Sequence, residues 1–167
     1  MSSRFLFVAA ITLVVLPFLT VAAPAPGYQP LAFLAEHCWK GTFPDGKQTD
    51  EHCFKWIYDG KFLRDVHTVV GSGHPDFRGE SIYFYDSAAK TLEYLYIEDQ
   101  GGVSRGVVAT EGDALVFPPT RYVEDGKTQT YRSRWQRVGE NAYDVLTEFQ
   151  SGEAWKEGFR VHMVRSN

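Results

Sequence analysis

Two Asp-Gly pairs, Asp45-Gly46 and Asp59-Gly60, punctuate segments of alternating apolar and polar residues between Cys38 and His67. Asp-Gly favours a two-residue hairpin loop in which both residues take left-handed dihedrals. A hairpin centred between Asp45 and Gly46 pairs residues whose numbers add to 91, setting Cys38 against Cys53, Lys40 against Glu51 and Trp39 against His52. Centring the next between Asp59 and Gly60 gives 119, which brings His67 opposite His52, Asp65 opposite Phe54 and Leu63 opposite Trp56. One face of the resulting three strands therefore collects aromatic residues, two histidines and an aspartate, the pattern of a closed antiparallel barrel with a partly polar interior.

The same register makes Cys38 and Cys53 neighbours, and they are the two cysteines of the chain. In an ideal two-residue hairpin they fall at a hydrogen-bonded pair, where side-chain geometry suits a disulfide poorly; a bulge or a different loop removes the conflict. A structural disulfide fits an exported protein. Export is what the start of the chain predicts. Residues 1–22 read as a signal peptide, with Arg4 as the positive start, Phe5 to Leu16 as the apolar run, and Pro17 before the small residues that end at Ala22. The alternative is an uncleaved anchor, since Phe5 to Ala23 nearly reaches the length that spans a bilayer. Cleavage places the protein in a periplasmic or extracellular compartment.

About 145 residues then remain, enough for one domain that buries roughly two thirds of its unfolded surface. Residues 23–29 form a Pro-rich flexible leader and residues 30–167 the domain. Loss of Arg4 leaves 16 basic against 21 acidic residues, dispersed along the chain. Such a balance offers nucleic acid no electrostatic footprint, and the run Tyr131 to Arg137 reads as a strand with one charged face.

Pro30 to His37 suits a short helix plugging one barrel end. Beyond it, about ten strands are expected over 38–43, 50–57, 62–70, 78–85, 91–98, 103–109, 114–118, 128–137, 142–149 and 154–164. Tight turn clusters separate them, and helical periodicity is absent, so the fold class is all-β, an up-and-down antiparallel meander. Closing such a sheet removes its exposed edges.

Leu31-Ala32-Phe33-Leu34 leading into Cys38-Trp39-Lys40-Gly41, the hairpin series, the turn at Tyr85-Asp86 and a basic last strand resemble lipocalin-like, calycin-type barrels, many of them bacterial families of unknown function. The resemblance implies that an early tryptophan, Trp39, is covered by an arginine near the end of the last strand, Arg160 or Arg165. The departure is Cys38 and its predecessor, which replace the glycine expected shortly before the tryptophan. His162 is similar to the late-strand histidine that holds iron in haem-binding barrels related to nitrobindin, so haem is the one cofactor the resemblance implies; otherwise none is expected.

His52, His67 and Asp65 are the sharpest chemical constellation, because imidazoles and a carboxylate can bind a metal or move protons. The pair of histidines lacks a firm third ligand, so no metal is expected. Trp39, Phe54, Trp56 and Leu63 wall the same space. A third hairpin through Asp86 to Thr91 faces Tyr83 against Tyr94 and Ser81 against Tyr96, which forms either a ligand-contacting belt or a filled core, with Ile82, Phe84 and Leu95 on the other face. Arg105, Arg132, Arg134, Glu148 and Glu157 either reach inward to an anion or are solvated. Three functions remain: a binding or carrier barrel for a small, partly apolar molecule; an enzyme in which His52 or Asp65 moves a proton; and a filled barrel acting as an interaction module. Oligomeric state is left open.

Overall fold

Glycines and acidic residues at short intervals reverse the chain often enough to divide it into ten strands: β1 (Cys38–Thr42), β2 (Gln48–Ile57), β3 (Phe62–Gly71), β4 (Phe77–Asp86), β5 (Thr91–Glu98), β6 (Val103–Glu111), β7 (Ala114–Glu124), β8 (Lys127–Arg137), β9 (Ala142–Ser151) and β10 (Ala154–Ser166). A computed structural model describes residues 26–71, 73 and 75–166. The expected signal peptide and the start of the leader lie outside these residues. Each strand pairs antiparallel with the next, and β10 returns to pair with β1, so the sheet closes into a barrel. No helix among the described residues is long and apolar enough to cross a membrane.

The register follows the turn centres. Cys38 pairs with Cys53 and Trp39 with His52, while His52 in turn pairs with His67 and Phe54 with Asp65. The first loop nevertheless differs from the expected one. Gly46 N–H donates to Phe43 O at 2.9 Å and Phe43 N–H to Gln48 O at 3.0 Å, so the loop runs over the four residues 44–47. An even number of loop residues preserves the pairing while shifting which pairs are hydrogen-bonded. Phe43 and Gln48 form a bonded pair, and five residues further on Cys38 and Cys53 fall at a non-bonded one, where side chains approach most closely. Their Cα atoms are 4.0 Å apart and the disulfide is formed. At Asp59-Gly60 and Asp125-Gly126 both residues do take positive φ, as the two-residue loop requires.

β7 continues to Glu124, past the expected end at residue 118. Pro118 and Pro119 cannot donate to a ladder, yet the register shifts on both sides of them, between Phe117 and Thr120 against β8 and between Ser104 and Ala109 against β6. Prolines are tolerated at such irregularities.

The expected helix over residues 30–37 is absent. Only Gln29–Leu31 forms a single 3-10 turn, and Leu31, Ala32 and Leu34 N–H groups bond three residues back. Trp39 Nε1 takes the Leu34 carbonyl at 3.2 Å, and Glu36 turns left-handed at φ 61°. A segment this short cannot recover the cost of helix nucleation, so tertiary partners decide its path. It still closes one barrel end: Leu31 and Leu34 are fully buried, and Tyr28 Oη donates to Lys61 O while accepting from Tyr85 N–H. Trp39, Phe54, Leu63, Tyr143 and Met163 share one buried cluster with Leu31 and Leu34, and Phe33 of the plug meets Trp39 and Tyr143 edge-on. Arg165, directly across the β1–β10 ladder from Trp39, holds its guanidinium 5.1 Å from the indole centroid, so of the two arginines it is Arg165 that covers the tryptophan.

Candidate functional site

Because the plug fills one end, the opposite half of the barrel encloses a cavity of 370 Å³. Its walls include Phe43, Val69, Phe77, Phe117, Trp135, Phe149 and Phe159, with Tyr83, Tyr94, Tyr96 and Tyr131 adding hydroxyls. A volume of that order, apolar walls and few polar groups are the usual attributes of a small-molecule site.

The polar groups concentrate on the wall made by β2 and β3. Strand alternation turns residues 50, 52 and 54 of β2 and 65, 67 and 69 of β3 to one face. His52 and His67, paired across the ladder, stack with centroids 4.5 Å apart and planes 13° from parallel. His52 Nδ1 lies 2.8 Å from Asp65 Oδ2, and its Nε2 lies 3.1 Å from Asp50 Oδ2. His67 Nδ1 lies 3.1 Å from Asp50 Oδ1, and its Nε2 lies 3.1 Å from Tyr96 Oη. Asp65 is 1% exposed, and its Oδ1 is buried without a hydrogen-bond partner.

Burial alone would push the His52 imidazole toward the neutral form. The carboxylates of Asp65 and then Asp50 more than reverse that, lifting its pKa to about 10, so it is a cation at neutral pH. For Asp50, burial disfavours the charge, but His52 and His67 outweigh it and hold the carboxyl well below its usual range. Desolvation raises the phenols of Tyr96 and Tyr131 far above their ordinary value, and Tyr83 likewise, with Asp65 adding to the shift there. These tyrosines present neutral hydroxyls to the cavity. Tyr94 and Tyr131 join theirs at 2.9 Å, and Ser104 Oγ reaches Tyr131 at 3.1 Å.

The sequence-predicted residues divide between two levels. His52, Asp65, His67, Tyr83, Tyr94 and Tyr96 line the cavity, whereas Trp39, Phe54 and Trp56 lie toward the plugged end, outside its lining. The tyrosine hairpin thus turns Tyr83 and Tyr94 inward and leaves Leu95 38% exposed outside. Asp50 completes the polar cluster, and alternation with His52 was the signal that marks it. Tyr131, Trp135 and Phe117 come from strands distant in sequence and meet the others only through barrel closure.

Arg105, Arg132 and Arg134 face outward in ion pairs with Glu93, Glu148 and Glu111, and Glu157 pairs with Arg160 on the surface. His162 also lies outside, 2.5 Å from Asp144, while its neighbours Val161 and Met163 face the cavity. A haem inside the barrel would draw no nitrogen from His162. No protein-family model matches the chain, and no curated protein sequence matches it either.

Proposed function

We propose that the protein is an exported, calycin-like barrel that binds a small, partly apolar molecule through the open end of its cavity. The observation that carries this reading is the one-ended cavity itself, apolar on most of its wall and polar on the β2–β3 side. Rings of Phe117, Trp135 and Phe159 supply contact area for the body of the ligand, while Asp50, His67 and Tyr96 orient its polar end. Two carboxylates around one imidazolium favour a hydrogen-bond-donating or cationic group at that end. The Cys38–Cys53 disulfide supports an oxidising, exported setting.

Binding is favoured over proton-transfer catalysis because both ring nitrogens of His52 are engaged and its imidazole is already charged, so it has no lone pair to offer as a base. The cavity in turn favours a ligand-binding role over a filled interaction module. Native mass spectrometry of the protein purified from its export compartment tests the reading. A retained small molecule, released on unfolding and lost in a Val69→Trp variant that fills the cavity, is expected. An empty protein that takes up no apolar or aromatic amine from a screened panel would overturn it. His52→Ala separates carrier from enzyme: a change in affinity alone supports the former, and loss of turnover with unchanged binding the latter.

A further inference from the structure

Each histidine of the cavity wall divides its two nitrogens between an outer and an inner partner. Asp65 holds His52 Nδ1 and Tyr96 holds His67 Nε2, which leaves His52 Nε2 and His67 Nδ1 both turned toward Asp50, one on each carboxylate oxygen. We infer that Asp50, His52 and His67 form a binding site for a divalent transition-metal ion of the Zn²⁺ type, with its remaining coordination positions open to the cavity.

Four observations converge on that ion. Two imidazoles and a carboxylate are a donor set that borderline-soft divalent ions prefer, and three protein ligands with an open position are the arrangement of a reactive rather than a structural site. One ligand atom from each residue can be chosen so that all lie within 4.8 Å of one another. The two contacts to Asp50 at 3.1 Å are already close to the edge of a tetrahedron with bonds of about 2.1 Å, roughly 3.4 Å. Closing the remaining separation requires the stacked rings to tilt toward each other. The ion must also displace the proton that His52 Nε2 shares with Asp50 in the metal-free protein, so that binding releases a proton to solvent. The outer contacts complete the set: a metal-bound histidine ordinarily has its other nitrogen fixed by a carboxylate or another polar group, which orients the ring. Here Asp65 and Tyr96 occupy those places, and Asp65 and Asp50 together balance the double charge of the ion. The site shares Asp50 and His67 with the proposed organic ligand's polar end, so a bound ion takes that end's place and leaves the apolar part of the cavity open.

The test is calorimetric titration of ZnCl₂ into the untagged, mature protein after chelation and dialysis, together with the visible spectrum of the Co²⁺ form. Expected are one ion per chain, a loss of at least about 100-fold in affinity for Asp50→Asn and His67→Ala, and a loss of roughly 10–100-fold for Tyr96→Phe, which removes only an orienting hydroxyl. His162→Ala, on the outer face, should bind as the parent does. Absence of stoichiometric binding, or binding that survives Asp50→Asn but not His162→Ala, overturns the assignment. The Co²⁺ spectrum needs no variant: intense bands of a four- or five-coordinate ion support the site, and the weak bands of a hydrated ion sink it.

Discussion

Gly79 stands opposite His67 across the β3–β4 ladder, and a Cβ placed on it would come within 2.2 Å of His67 Nε2 and 2.6 Å of the Tyr96 hydroxyl. The glycine is what allows Tyr96, from the next strand, to reach over β4 to the histidine. Gly79→Ala should therefore displace that contact and cost about 1–3 kcal/mol through overpacking. Urea unfolding of the variant checks this, and a stability equal to the parent's would show that the wall yields without cost.

The charges on the cavity wall make stability depend on pH in a definite direction. The folded-state pKa of His52, raised by Asp65 and Asp50 against the effect of burial, is about 10. Its contribution is complete below about pH 6.5, the unfolded value, and is lost as pH climbs toward 10. Asp50, held low by the two histidines, contributes fully above about pH 4 and loses that contribution as pH falls. With chelator present, the melting temperature should plateau between about pH 4 and 6.5 and decline from there, before unfolded tyrosine begins to ionise near pH 10. His52→Gln should flatten the decline between about pH 6.5 and 10; parallel profiles would remove His52 from its cause.

Reduction of Cys38–Cys53 should destabilise the barrel. The bond closes a loop of 15 residues and contributes about 3 kcal/mol by the chain-entropy estimate. In a chain of this size that is a fall of roughly 10 °C in Tm. Paired thermal melts with and without reductant, with thiols counted by mass, measure it, and equal melts of oxidised and fully reduced protein would contradict it.

Tyr28 ties the plug to two hairpins by accepting from Tyr85 N–H and donating to Lys61 O. Tyr28→Phe removes both contacts and leaves two backbone groups without them, which should cost about 1–3 kcal/mol. Limited proteolysis should then cut between residues 26 and 36 faster than in the parent. An unchanged cleavage rate would mean that Leu31 and Leu34 hold the plug alone.

How far the structure was legible in the sequence depends on distance along the chain. Pairings across single turns were readable, because an even-length loop keeps the same centre whether two or four residues form it; Cys38 with Cys53, His52 with His67 and Tyr83 with Tyr94 all follow. Asp50 lay inside the expected strand and alternates with His52, but its cross-strand partner Val69 is apolar, so the pairing alone did not single it out beside the paired histidines. The extension of β7 past Pro118-Pro119 was hidden by residues that ordinarily end a strand, and only a register shift on both sides accommodates them. Which face of the tyrosine hairpin points inward was not decidable locally, because Ile82, Phe84 and Leu95 make the outer face apolar too. The plug misled for a different reason: its path is set by Trp39 and Tyr85, partners outside the segment.

The alternation of hairpins gives the two ends of the barrel different freedoms. The turn at residues 58–61 and the last residues of β10 gather at the plugged end, where Tyr28 and Trp39 tie them into the core. The loops at residues 44–47, 99–102 and 125–126 ring the other end and carry no part of that closure. Substitutions in this rim can therefore reshape what enters while the foundation stays intact, and a fused partner attached beyond Ser166 would hang from the base, leaving the entrance clear.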